Sequence, residues 1–422
     1  MIFLKSHACE TFLFKNFPLG LMRFQSYFNT AVSLIKLYDG KIPLVHFLKQ
    51  YFSQHKKYGS KDRKFITHLC YCYYRIGYAA KQLSVEERLK IAIYLCNATA
   101  EDWHILFDEN WNEWSNDINA RIDCIQKKYP IFFIQDIFPW KDELSKTIDA
   151  KAFAASHLIQ PDLFLRIRPH KEKIVKAKLE ASQIPFQPIT DTCLALPNTS
   201  KIDSIIDLDK EAVVQDYSSQ QIKEFLQLIT YNLQPTTQLW DCCAASGGKS
   251  ILAKDVLQNI ELTVSDVRSS ILQNLKQRFE KAGIKKYNSF VADLSIVNGQ
   301  WPMVNSQNKS EISNQKLDII LCDAPCSGSG TWGRTPEQLY FFNEEKLNEY
   351  VALQQKIISN TIPYLKKDGY FLYITCSVFK KENEENVAFI QRQFNLQLIK
   401  QEVLIGYDKK ADSMFAALFK KE

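Results

Sequence analysis

The chain is 422 residues long, 46% hydrophobic and 24% charged, values that suit a globular protein and exclude a disordered or fibrous one. This length suffices for two or three domains with their own cores. A net charge of +6 is compatible with a phosphate-rich partner without requiring one.

The N-terminal residues 1–20 contain no uninterrupted apolar run and no small-residue cleavage pattern. Met22, just before a helical pattern begins, is an alternative start. No stretch approaches the roughly 18 apolar residues of a membrane span. The 11 cysteines, an odd number, therefore read as reduced thiols of a cytoplasmic protein with no membrane partner.

Residues 23–145 read as all-helical. Ser60-Lys61-Asp62-Arg63 starts one segment, and Phe65, Leu69, Cys72, Tyr73 and Ile76 recur at helical spacing. Ser84 caps another segment, with Glu87 completing a capping box. Core packing accounts for these stripes. Pro139-Trp140 marks a transition, and 150–215 reads as a small α+β module. In it, Phe164–Pro169, Leu194–Leu196 and Ala212–Gln215 are extended, and Lys171–Ser182 is a basic helix. Arg166, Arg168, Lys171, Lys173, Lys176 and Lys178 either touch RNA phosphates or form a solvated charged face.

From 216 to 422 strands alternate with helices. Strands are expected at Leu239–Cys242, Leu262–Ser265, Phe290–Ala292, Leu317–Cys322 and Tyr370–Thr375, with helices at Ile251–Leu257 and Ile271–Ala282. Such alternation implies an α/β domain with a parallel sheet wrapped by helices, and ligands bind outside the carboxyl ends of such strands.

The chemistry-bearing residues fall at those ends. Cys243, Ala244, Ala245, Ser246, Gly247, Gly248 and Lys249 join the first strand to a helix, where small residues let a ligand approach the backbone. Adjacent glycines, with none five residues upstream of Gly248, exclude both the dehydrogenase and the P-loop patterns. Asp266 ends the second strand, 19 residues after Gly247, where a carboxylate can accept bonds from two ribose hydroxyls. Asp293 ends the third strand, within reach of an adenine ring. This set suits an adenosine-type ligand without a phosphate tail, and S-adenosylmethionine fits.

Cys326 and Cys376 lie just beyond the fourth and fifth strands, which are neighbours in a doubly wound sheet. Cysteine is readily made nucleophilic once its thiolate is favoured. Cys70, Cys72, Cys96, Cys124 and Cys193 read as structural. Cys242, Cys243, Cys322 and Cys326 lack paired metal-ligand spacing, so no metal is expected. All seven histidines lie at or before position 170, which leaves the C-terminal half without a local Ser-His-Asp triad.

The run from Cys243 to Lys249 resembles the C-A-A-P-G-G-K loop of the Nop/Sun family of RNA cytosine-carbon-5 methyltransferases. Asp323-Ala324-Pro325-Cys326-Ser327-Gly328 resembles their D-A-P-C-S-G, and Thr375-Cys376-Ser377 their T-C-S with the acidic stretch Glu382–Asn386 after it. Val214-Gln215-Asp216 and Met414-Phe415-Ala416 are similar too. Residues 23–145 resemble, more loosely, the NusB-like RNA-binding domain of the bacterial 16S rRNA branch.

The resemblance implies a Rossmann-like class I sheet that binds S-adenosylmethionine through 243–249, Asp266, Asp293 and Asp323. It implies Cys376 as the thiolate that adds to carbon-6 of cytosine. Asp323 would hold N3 and the exocyclic amine, Cys326 would assist proton removal and release, and Lys249 would lie beside the methionine end or the catalytic pocket. The implied substrate is 16S rRNA, free or in a ribosomal assembly intermediate, and the implied state a monomer. A tRNA cytosine-5 methyltransferase and a non-catalytic RNA-binding ribosome-assembly protein are the alternatives. An amino methyltransferase would carry D-P-P-[YF], and D-A-P-C stands in its place. The chain departs from the family at Ser246, where proline is usual, at Gly333-Arg334 for an Arg-Arg pair, at Arg168 for asparagine, and at Ser413 for glycine.

Overall fold

A computed structural model of the chain describes residues 19–100, 103–107, 111, 114–230, 234, 236–296 and 316–422. The N-terminal stretch read above lies, up to residue 18, outside the described residues. The chain divides into two compact units, Met1–Ile137 and Phe138–Glu422.

In the first unit the described regular structure is helical: α1 (Leu19–Leu37), α2 (Leu44–Gln54), α3 (Ser60–Arg75), α4 (Val85–Cys96) and α5 (Ile118–Lys128). The Ser84 hydroxyl accepts the Glu87 N–H, and the Glu87 carboxylate accepts the Ser84 N–H, each at 3.2 Å. That is the capping box expected from the sequence. Leu69, Cys72, Tyr73 and Ile76 turn inward as their spacing requires, while Phe65 is half-buried and stacks on Tyr27.

The second unit opens with α6 (Ala150–Ser156) and a small sheet built from β1 (Leu163–Ile167), β2 (Gln187–Pro188), β3 (Cys193–Leu196) and β4 (Ala212–Val214). Its order is β2-β3-β1-β4, antiparallel throughout. Helix α7 (Glu172–Ala181) covers it through Val175 and Leu179. Arg166 and Arg168, offered above as phosphate contacts, point inward instead. Both pair with the buried Asp255, at 2.5 and 2.7 Å. Lys178 pairs with Glu211 at 2.7 Å. Partners 33 to 89 residues away have taken up these charges, so only Lys171, Lys173 and Lys176 keep the phosphate-contact reading.

Short helices α8 (Tyr217–Gln220) and α9 (Ile222–Gln227) lead to the large sheet. Its first part runs β5 (Thr237–Asp241), α10 (Gly248–Leu257), β6 (Ile260–Asp266), α11 (Ser269–Lys281) and β7 (Asn288–Val291). After β8 (Leu317–Asp323) come α12 (Pro336–Phe341), α13 (Glu345–Thr361), β9 (Leu365–Thr375), α14 (Glu384–Phe394), β10 (Leu396–Leu404) and β11 (Met414–Lys421). Among the described residues the strand order is β10-β11-β9-β8-β5-β6-β7.

Strands β5 to β9 are parallel, but β11 and β10 are antiparallel to their neighbours, so the expected parallel sheet is a mixed one. Neither late strand was read from local pattern: β11 forms by pairing with β9, and β10 by pairing with β11. Beyond β5 the chain runs outward to β7 and then returns to β8. The β5–β8 boundary is thus the switch point at which loops from both strands leave a crevice. Apolar clusters on both faces, one around Leu239, Val264 and Phe279 and the other around Trp240, Phe290 and Tyr373, hold the strand ends rigid.

Candidate active site

The β5–α10 loop turns on Gly247, whose φ of +83° places an added Cβ only 2.6 Å from the Phe279 ring. Glycine alone suits both the backbone angle and that contact. Ser246, at the departure from proline, is tied rather than loose. Arg278 donates to its hydroxyl at 2.9 Å and its carbonyl at 3.1 Å, and also pairs with Asp209 at 2.7 Å. Below the loop, the buried Asp241 accepts from the Ser250 hydroxyl at 2.5 Å, joining the end of β5 to α10.

Asp266 and Asp293 leave the ends of β6 and β7 and line one cavity of about 550 Å³ with Cys243, Arg268, Asp323 and Cys326. Asp266 is largely buried and accepts from the Ala245 N–H at 3.0 Å and the Arg268 N–H at 2.9 Å. The Arg268 guanidinium rests on the same carboxylate at 3.0 Å but is itself 59% exposed. Asp293 is exposed and closes a turn by accepting from the Ser295 N–H at 2.9 Å.

The other wall carries the reactive groups. Lys249, on the first turn of α10, donates to Asp323 at 2.7 Å. Burial opposes its charge, but Asp323 and then Cys376 outweigh it and hold the ammonium above its usual range. Strands β8 and β9 are in register, with Asp323 opposite Ile374, so the residues following each emerge together. The Cys376 N–H donates to Cys326 Sγ at 3.3 Å, and the Gly330 N–H donates to the Cys376 carbonyl at 2.9 Å. Contact with Cys376, and then burial, pushes the Cys326 thiol well above its usual range, so Cys326 keeps its proton. The described cysteines are all free thiols. Among the described residues no cluster of His, Cys, Asp and Glu is arranged to hold a metal.

Residues that sequence reasoning left unassigned surround this pair. Glu382 is fully buried and bonds to both cysteine-bearing loops, and Gln354 of α13 donates to the Pro325 carbonyl at 3.0 Å. The acidic stretch after Cys376 was visible in the sequence, but nothing local shows which of its carboxylates turns inward. The departures also find partners. Arg334 bridges Asp216 at 2.7 Å and Asp412 at 2.9 Å, so its guanidinium is engaged within the fold. An added Cβ on Gly333 would lie 3.1 Å from Pro161, which leaves little room for a second arginine. Ser413 donates its N–H to Gly330, whose own Cβ, if present, would lie 1.9 Å from the Ser413 carbonyl.

Residues 228–417 match the family described as 16S rRNA methyltransferase RsmB/F. The chain is 28% identical over 225 residues to the ribosomal RNA small subunit methyltransferase B of Photorhabdus laumondii, covering 53% of this chain and 48% of that protein. It is 30% identical over 186 residues to the protein of that name from Xanthomonas campestris, covering 44% and 39%. The chain thus spans about half the length, or less, of the curated relatives it matches. Among solved structures, PH0851 superposes with a TM-score of 0.62 at 19% identity, over 96% of this chain and 99% of that one. NSun6 from Pyrococcus horikoshii, with SFG, superposes with a TM-score of 0.53 at 14% identity, over 65% and 96%. At those identities the likeness is one of fold.

Proposed function

From the premise that residues 228–417 are an RsmB/F-type methyltransferase domain, we propose that the chain methylates carbon-5 of cytosine in rRNA, in the cytoplasm, with S-adenosylmethionine as methyl donor. The observation that carries this reading is the meeting of Cys326 and Cys376 from two adjacent strands, beside a cavity lined by Cys326 and by Asp323, the partner of Lys249.

The cavity suits the donor: two carboxylates at successive strand ends match a ribose and an adenine, and the acidic lining matches a sulfonium cation. Cys243, Ala244, Ala245, Ser246, Gly247 and Gly248 form the backbone side of that site, with Asp266 and Asp293 opposite. Arg268 rests on Asp266 but is largely exposed, and it would move aside for that carboxylate to take a ribose. When bound, S-adenosylmethionine supplies an electrophilic methyl group.

Carbon-5 of cytosine is too weak a nucleophile to take that methyl unaided. The Cys376 thiolate adds to carbon-6, forming a C–S bond and turning carbon-5 into the nucleophilic end of an enamine. Lys249, whose ammonium is held charged by Asp323 and then Cys376, stands beside that sulfur. With a proton on its carboxyl, Asp323 would donate to N3 and accept from the exocyclic amine, balancing the negative charge that develops at N3. Once Cys376 is a neutral thioether, the partner that kept Cys326 protonated is gone. Cys326 then gives its proton to water, accepts the one on carbon-5, and the C–S bond breaks to return the Cys376 thiolate. The base must leave its stack to enter the cavity.

Cys376→Ala is expected to abolish methyl transfer to cytosine, and Cys326→Ala to accumulate a covalent protein–RNA adduct visible on denaturing gels. Full turnover by Cys376→Ala would refute the mechanism. Bisulfite mapping of total RNA from cells with and without the protein identifies the nucleotide.

A further inference from the structure

Cys326 and Cys376 both sit in loops, beyond the hydrogen bonding of their strands. The residues that follow them, Ser327 and Ser377, turn inward to one carboxylate. Glu382 Oε1 accepts the Ser327 backbone N–H at 2.8 Å and the Gln354 side-chain amide at 2.8 Å. Its Oε2 accepts the Ser327 hydroxyl at 2.5 Å and the Ser377 hydroxyl. Glu382 has no measurable exposure, and among the described residues no lysine, arginine or histidine forms an ion pair with it.

Its own position is secured from β9. The Tyr373 hydroxyl donates to the Glu382 carbonyl at 2.7 Å. The adjacent Asn383 accepts from the Thr375 hydroxyl at 2.6 Å and donates to the Ser377 carbonyl at 3.0 Å. Ser329 completes the bridge by accepting the Val378 N–H at 3.0 Å.

A carboxylate buried without a cation is costly, and a neutral side chain would fill the space more cheaply. What the carboxylate offers is two oxygens that each accept two bonds, from segments about 50 residues apart in sequence. We infer that Glu382 is a positioning residue that clamps the Cys326 loop to the Cys376 loop and so sets the approach of the two sulfurs. The inference rests on the proposed roles of those cysteines, but the clamp itself can be tested without them.

The test compares the full chain with Glu382→Ala and Glu382→Gln. Glutamine keeps an oxygen for the two N–H donors, and its amide can donate to the serine hydroxyls, which can rotate to accept. It should hold kcat within about 10-fold of wild type, whereas alanine, which frees both loops, should lower kcat about 100-fold or more. KM for S-adenosylmethionine should move by less than about 3-fold in both, because Asp266 and Asp293 stand on other strands.

The second readout needs no methyl transfer. Diamide takes the two hydrogens from Cys326 and Cys376 as they form a disulfide, which peptide mass spectrometry quantifies. That reaction should slow about 10-fold or more in Glu382→Ala and little in Glu382→Gln. If Glu382→Ala does not fold, Ser377→Ala removes one arm of the clamp and should show the same pattern at smaller amplitude. Unchanged disulfide formation in Glu382→Ala, or equal damage by glutamine and alanine, overturns the clamp. Slowed disulfide formation in a protein whose wild type methylates no cytosine leaves the clamp standing and refutes the proposed reaction instead.

Discussion

Asp241 makes the stability of the second unit fall as pH rises, and Asp241→Asn should remove that slope. Burial pushes its carboxyl up to about 7, from an unperturbed 3.8, although the Ser250 hydroxyl pulls the other way. The folded state therefore binds this proton more tightly than the unfolded chain between those two values. The stabilisation is complete below about 4, is lost as pH rises through 7, and the effect is flat above it. At about 1.4 kcal/mol per unit, the loss from this group between pH 5 and pH 8 is roughly 2–3 kcal/mol. Asparagine keeps a carbonyl for Ser250. Its amide replaces Oδ1, which has no hydrogen-bond partner, so the substitution carries a penalty of about 1–3 kcal/mol. That penalty does not depend on pH, and the change in the difference between the two proteins is the diagnostic quantity. Asp412, also pushed up to about 7 by burial and then Asp216, titrates in both proteins and cancels. Melting curves followed by circular dichroism at pH 5, 6, 7 and 8 should show the variant gaining roughly 5–10 °C on the wild type across that range. Parallel dependence of the two melting temperatures on pH would refute the reasoning.

Two further perturbations probe the charges around the site. Asp255→Ala leaves the buried Arg166 and the partly buried Arg168 without their shared carboxylate. It should cost about 3–5 kcal/mol, lowering the melting temperature on the order of 10 °C, and a change below 1 °C would show that the two arginines find other partners. Lys249→Met removes the cation between Asp323 and Cys376. It should slow alkylation of Cys376 by iodoacetamide at pH 7 by about 10-fold or more, with methyl transfer falling in step. An alkylation rate equal to wild type would detach Lys249 from the nucleophile.

How much of this was legible in the chain depends on the range over which each feature is decided. The strand-end motifs could be read because their chemistry is local. Gly247 marks a turn that other residues cannot make, Asp266 ends an apolar strand, and Cys326 and Cys376 follow two more. The Ser84–Glu87 capping box is complete within four residues. The basic residues at 166, 168 and 178 could not be assigned, because their partners at 255 and 211 belong to elements whose packing no local pattern encodes. Strands β10 and β11 were missed for the same reason, since β11 owes its conformation to pairing with β9 and the edge strand β10 to pairing with β11.

The sequence by itself determined the alternation of strand and helix, the crevice-facing motifs, and the absence of histidine beyond position 170. Only the tertiary structure decided which charges face inward and how the two cysteines are held. Glu382 shows why. In sequence it is one of three glutamates within four residues, and its role comes from donors on Ser327, Gln354 and Ser377. Those three lie on separate segments that come together only when β8, β9 and α13 have packed.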